Sequence, residues 1–236
     1  MSSDGLLVIG SGPGIGVITS SLFAQKKFTK IALISRDNTR LSKDRETILQ
    51  AAKSAGKTIE VQTWSVDITN TTAFKAVLKE TEKFATFSCI HFNAARVAPS
   101  NLLIFPEEEI PRDFKVHNNH CHTISHWALP ILTSLTSSHP SHLITSSLLP
   151  HDPVPFVFSL SLVKASQRNL AQSLALTYPD VHVALLNVGG PVSWEDRWFN
   201  QPAIAKKFWE LYTQEKDKWT LVLDLLVEES EIVKIG

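Results

Sequence analysis

The stretch LLVIGSGPGIG, Leu6 to Gly16, joins four apolar residues to a glycine-rich turn, and the apolar spacing that follows, Ile15 to Phe28, fits a helix. Strand, glycines, helix is an order suited to phosphate. Gly10, Gly14 and Gly16 are spaced for a tight turn, close approach of a phosphate and close packing where the helix begins. Backbone amides there face a pyrophosphate within the positive field of the helix N-terminus. Read from Gly10, the spacing departs from G-x-G-x-x-G, because the third required glycine falls at Ile15. Ser11 and Ile15 complete the expected cofactor-binding turn; the competing reading is an ordinary glycine-rich surface turn.

Working outward, KIALISR from Lys30 to Arg36 reads as a second strand, and Arg40 to Ser54 as an amphipathic helix ending near Gly56. A third strand is predicted over 59–66, a helix over 72–84 and a fourth strand over 87–92, ending at Asn93. Residues 112–135 read as one long helix or as a helix broken near Pro130, and 141–147 as a strand. Pro150, Pro153 and Pro155 oppose a continuous element. A helix over 160–176, a strand over 181–189, an aromatic-rich loop and helix region and the apolar stretch 221–227 follow. Strand-to-helix alternation predicts parallel strands joined by right-handed crossovers, hence an α/β, doubly wound, mostly parallel sheet with helices on both faces. No repeat or second boundary stands out, so residues 1–236 are read as one domain.

Composition narrows the function. Hydrophobic residues make up 43% and charged residues 19%, with 23 Lys plus Arg against 23 Asp plus Glu, which disfavours a disordered chain and a basic nucleic-acid binder. Cys89 and Cys121 allow at most one disulfide, which does not suggest a secreted scaffold and favours a reducing, cytoplasmic setting. No run of about 18 apolar residues signals a membrane span.

Arg36 ends the second strand, where a ribose comes within reach, with the small hydroxyl of Ser35 beside it and no carboxylate at that position. A guanidinium pairs with a 2′-phosphate, whereas an acidic side chain favours free ribose hydroxyls, so NADP(H) is expected over NAD(H). Asp67 is a candidate for the adenine edge, and Asn93 and Ala94 for the central cofactor region. An ordinary surface arginine and polar strand ends are the bland alternatives.

Through GSGPGIG at 10–16, VDIT at 66–69, NAA at 93–95, ITSS at 144–147 and Lys164, the chain resembles the short-chain dehydrogenase/reductase family along nearly its whole length. The resemblance implies a Rossmann-like sheet, a dinucleotide near Gly14 and Gly16, a small-molecule substrate above the nicotinamide, and a homo-dimer or homo-tetramer. Lys164 resembles the lysine that holds the nicotinamide-ribose hydroxyls and assists proton transfer, and Ser147 the substrate-orienting serine. The tyrosine that the family places four residues before the lysine is Leu160 here, and leucine neither donates a proton nor becomes a phenolate. His117 falls where the family's helix asparagine is counted, with Asn118 adjacent, and Gly189-Gly190-Pro191 replaces the usual Pro-Gly order, leaving Gly190 beside the nicotinamide.

Candidate replacements for the missing acid are Ser147, His117, a lysine-held water or an acidic substrate group. The run HNNHCHTISH also raises a metal-site reading, but it splits His117, His120 and Cys121 from His122 and His126 on different helical faces, so structural histidines are favoured and no metal is expected. In WEDRWF at 194–199, Trp194 and Trp198 share a face if the segment is helical; they line an apolar pocket or simply pack, and Arg197 is placed to hold a carboxylate. Residues 192–216 are read as the substrate cover. Tyr178 stands too far from Lys164 to replace the tyrosine; Tyr212 could return with the cover.

The function expected is therefore an atypical NADP(H)-dependent oxidoreductase that transfers hydride to an imine, alkene or carbonyl of a small, largely apolar intermediate of secondary metabolism. The alternatives are a non-redox isomerase, cyclase or lyase with bound NADP as part of its pocket, and a nucleotide-responsive scaffold without catalysis.

Overall fold

In the computed structural model, which describes residues 4–116, 120–135 and 139–227, strand β1 (Gly5–Ile9) is buried along its length. Its alternate side chains serve two cores, Leu6 and Val8 on one face and Leu7 and Ile9 on the other. The chain continues as α1 (Ile15–Lys26), β2 (Lys30–Ser35), α2 (Asn38–Ser54), β3 (Glu60–Ser65), α3 (Thr71–Glu82) and β4 (Phe87–Phe92). After these come α4 (Glu109–Phe114), α5 (His120–Thr133), β5 (Ser141–Ser147), α6 (Phe158–Thr177), β6 (His182–Val188), α7 (Gln201–Tyr212) and β7 (Val222–Leu225).

The seven strands lie in the order β3-β2-β1-β4-β5-β6-β7, and every neighbouring pair is parallel. Helices α1, α2 and α7 cover one face around Phe23, Ile48 and Phe208; α3, α5 and α6 cover the other around Phe74, Ile124 and Ala171. Because the order reverses between β1 and β4, their carboxyl ends diverge and leave a crevice. This is the doubly wound sheet the alternation predicts.

Two expectations are corrected. Pro130 does not break its helix: it lies inside α5, three residues before the end, and both it and His126, whose carbonyl loses its partner, face solvent. The WEDRWF segment is not helical either. Asp196 Oδ1 accepts from the amides of Trp198 and Phe199, both at 2.7 Å, and this side-chain turn replaces helical bonds. The apolar stretch at 221–227 supplies the edge strand β7.

Helix starts differ in a way that bears on function. Asp37, Asn70 and Asn200 cap α2, α3 and α7, each side chain accepting an amide three residues on at 3.0, 3.1 and 2.9 Å. Helix α1 starts from Gly14 with no side-chain cap and no acidic residue in its first turn. Its N-terminal field is not offset by any carboxylate of that turn.

Candidate active site

A cleft of about 880 Å³ opens at the carboxyl ends of β1, β4, β5 and β6. Gly12, Gly14, Ile15 and Gly16 form one end of its wall; Ser147, Leu160, Lys164 and Gly190 belong to the other.

The glycines divide by role. Gly10 has φ +93°, and a Cβ there would stand 2.4 Å from the Ala94 amide nitrogen; at Gly16 it would lie 2.8 Å from the Gly10 carbonyl oxygen. Both allow close packing of the turn against the strand ends. At Gly12 and Gly14 a Cβ would meet nothing within 4 Å, so these two residues leave open room over the uncapped end of α1. That cradle fits a dinucleotide's pyrophosphate: amides and a positive helix field, with no side chain in the way.

The turn is tied to the second strand through the amides of Gly10 and Ser11, which donate to Ile34 O at 2.9 and 3.2 Å. Ser35 and the exposed Arg36 follow directly, so both stand beside the turn. Sequence reasoning missed the support beneath them: buried Asp44 accepts from Ser11 Oγ and from Arg40 Nε, both at 2.7 Å, placing a second guanidinium near the same corner. Asp67 lies beyond β3, its Oδ1 accepting the Thr69 amide at 2.8 Å.

Between the two ends of the cleft runs a directional hydrogen-bond chain. Thr145 Oγ1 donates to Asn93 Oδ1 at 2.8 Å, and Asn93 Nδ2 donates to Gly10 O at 2.9 Å. Since the one threonine proton is committed, His91 Nε2, 3.0 Å from Thr145 Oγ1, must be the donor in that contact. His91 is therefore the neutral Nε2–H tautomer; burial pushes its pKa down to about 3, helped by His142. Ala94 backs the turn at its amide.

Lys164 is only 5% exposed, and its Nζ donates to Thr145 O at 2.7 Å and to Gln167 Oε1 at 3.0 Å. Burial lowers its pKa to about 8, partly opposed by Cys121. Leu160 lies one turn earlier on α6, also in the cleft wall, where it offers an apolar surface. Ser147, at the end of β5, is half-buried. Ser146 Oγ and Gln201 Oε1, from two more residues of the wall, are buried without a hydrogen-bond partner. Gln167 and Gln201 were not legible as site residues, since only their tertiary neighbours distinguish them from other glutamines.

Gly190 packs against Phe199, whose Cε2 would lie 2.4 Å from a Cβ at that position. Trp194, Arg197 and Trp198 are not brought into the cleft wall: Trp194 is exposed, Trp198 packs against the core around α7, and the Arg197 guanidinium sits 4.8 Å from the centre of the Trp198 ring. His117 lies outside the described residues. Tyr212 does not return to the cleft; it packs on Phe23, Phe28 and Trp209 and accepts from Lys27 Nζ at 2.7 Å. Cys89 and Cys121 are free and fully buried, their thiols pushed up by desolvation. Among the described residues, no helix is long and apolar enough to cross a membrane, and no group of three or more His, Cys, Asp or Glu could hold a metal.

A family model described as short chain dehydrogenase matches residues 5–192. A search of curated proteins found no match. Among solved structures, an NADPH-bound short chain oxidoreductase of Pseudomonas aeruginosa PAO1, described as containing an atypical catalytic center, superposes with a TM-score of 0.83 at 19% identity, over 95% of this chain and 96% of that one. An alcohol dehydrogenase of the archaeon Thermococcus sibiricus, complexed with 5-hydroxy-NADP, gives 0.82 at 21% identity over 94% and 95%. A short-chain dehydrogenase of Rhodopseudomonas palustris gives 0.79 at 19% identity over 96% and 100%. With the glycine turn, Ser147 and Lys164 around one cleft and Leu160 in place of the tyrosine, the chain is an atypical member of the short-chain dehydrogenase family.

Proposed function

We propose that the protein is an NADP(H)-dependent oxidoreductase that reduces an imine, alkene or carbonyl in a small, largely apolar substrate. The observation that carries this reading is that an open phosphate cradle at Gly12 and Gly14 and a buried lysine share one cleft. The dinucleotide, when bound, supplies or accepts the hydride. Gly14 and Gly16 hold its phosphates, Arg36 and Ser35 select the 2′-phosphate, and Asn93 keeps the turn in shape by binding Gly10 O. Two structures of similar fold, at 19% and 21% identity, carry NADPH and 5-hydroxy-NADP, which supports the same choice of nucleotide.

Lys164 is the proton-holding group in this reading. With leucine one turn away, no phenol stands between the ammonium and a substrate, and a pKa of about 8 keeps that ammonium protonated at neutral pH yet acidic enough to give up the proton. Ser147 orients the acceptor atom, and Gly190, with the Phe199 ring packed on it, lines the wall beside it. Residues 192–216 cover the cleft through Val192 and Gln201, with Trp194 exposed and Trp198 packed against the core rather than in the cleft wall. The enzyme is taken to work in the cytoplasm as a homo-dimer or homo-tetramer.

The test is transfer of deuterium from C4-labelled NADPH across a panel of apolar imines, activated alkenes and ketones. Label in the product is expected, with loss in Lys164→Ala; cofactor binding without label transfer across the panel would count against hydride chemistry. Leu160 favours one second reading, non-redox isomerisation, cyclisation or elimination in the same pocket. Product formation supported by NADP⁺ without label transfer would select it.

A further inference from the structure

The cleft wall is mostly hydrocarbon away from the glycine turn: Leu148, Leu149, Val157, Leu160 and Val192 face it, and its charged residues are Lys164 and Asp152. Two further wall residues, Val97 and Val154, are also 73% and 43% exposed, so the apolar surface reaches the outside of the cleft there. The same two chain segments carry Leu102, Ile104 and Phe156, exposed by 50%, 80% and 56%. Several large apolar side chains exposed on neighbouring segments at the mouth of a cleft mark a place where something apolar binds.

This shelf is built as one piece. Ser100 N donates to Phe156 O at 2.8 Å, Leu102 N to Pro155 O at 3.3 Å, and Phe158 N to Ser100 O at 3.2 Å, lacing segment 97–104 to segment 154–158. Ser100 Oγ accepts the Ser159 amide at 3.0 Å, and buried Asp113 accepts from Ser159 Oγ and from Arg96, each at 2.6 Å, so α4 and α6 anchor it from below. Arg96 is thereby held by Asp113, and by Glu109 at 2.6 Å. At the tip, Leu103 has φ +62°, a left-handed conformation disfavoured for leucine, with its side chain 94% exposed.

We propose that the substrate is an elongated amphipathic molecule. Its polar reacting end sits between Ser147 and Lys164, and its unbranched hydrocarbon tail leaves the cleft between Val97 and Val154 to lie on Leu102, Ile104 and Phe156. The position of the reacting end rests on the oxidoreductase reading; the path of the tail rests on the exposed valines of the cleft wall and on the backbone bonds that join their two segments. Ser146 Oγ and Gln201 Oε1, buried and unpartnered, supply hydrogen-bonding capacity at the polar end.

The test is calorimetric titration of the NADP⁺-loaded protein with n-alkan-2-ones from hexan-2-one to decan-2-one, for the wild type and for a Leu102→Ser, Phe156→Ser double variant. Both substituted side chains are exposed, so the variant is expected to fold. Wild-type affinity should rise about threefold to fourfold per added methylene, and the variant should bind hexan-2-one equally well while losing the rise beyond it. A flat wild-type series, or a rise that the variant retains, overturns the proposal. So does sedimentation showing that the double substitution dissociates a dimer while the rise persists, since the shelf would then be a self-association face. Tight decan-2-one binding without deuterium transfer from labelled NADPH leaves the substrate shape standing and removes the reductase reading alone.

Discussion

Lys164 concentrates the chemistry at the scale of single residues. Its hydrogen-bond partners are a carbonyl and an amide oxygen, neither of them charged, so burial outweighs the opposing influence of Cys121 and the pKa falls to about 8. On the proposed reading, in which Lys164 supplies the proton, that proton is present below this pH and absent above it. We expect the reductive rate to decline as pH rises through about 8, and Lys164→Arg to move that limb upward, measured as kcat against pH. Thr145 joins two systems: its hydroxyl completes the His91-to-Gly10 chain and its carbonyl holds Lys164. Thr145→Val leaves His91 Nε2 buried without its partner, at a cost of about 1–3 kcal/mol in urea unfolding. Nothing in ITSS at 144–147 marks Thr145 over its neighbours, because its importance arises from which strand lies alongside. Lys164 and Ser147 were legible only through the resemblance to the short-chain dehydrogenase/reductase family.

Elements repeat the contrast between local and distant causes. Strands β1, β4 and β5 fall within a residue of their sequence-based bounds because each is a continuous apolar or alternating run set between turn residues. The glycine turn was legible for the same local reason, whereas the Arg40–Asp44–Ser11 brace and the Phe199 ring under Gly190 depend on packing between elements far apart in sequence. Two predictions belong here. Gly10→Ala, forced into φ +93° against Ala94, should lower the urea midpoint sharply, while Gly12→Ala should leave it nearly unchanged and weaken NADPH binding by filling the cradle. Arg36→Glu should cut the preference for NADPH over NADH roughly tenfold or more, measured as the ratio of the two Kd values.

Across the whole molecule, equal numbers of acidic and basic residues leave pH stability to a few buried groups. His91 and His142 are fully buried, and desolvation takes their pKa values to about 3 and about 4, well below the ordinary 6.5. Below pH 6.5 the unfolded chain binds protons that the folded chain refuses, so stability should fall on acidification from about pH 6.5 towards pH 4, read as the urea midpoint against pH. The overall architecture was visible from alternation, yet the joining of both ends of the site in one cleft came from strand order, with β1 and β4 adjacent and β5 beyond them. The central claim is that one dinucleotide spans that cleft from the glycine turn to Lys164. Fluorescence titration of NADPH against the wild type, Gly14→Val and Lys164→Ala tests it most directly. Each variant, still folded, should bind about tenfold or more weakly; wild-type affinity in either would contradict the claim that a single ligand touches both ends.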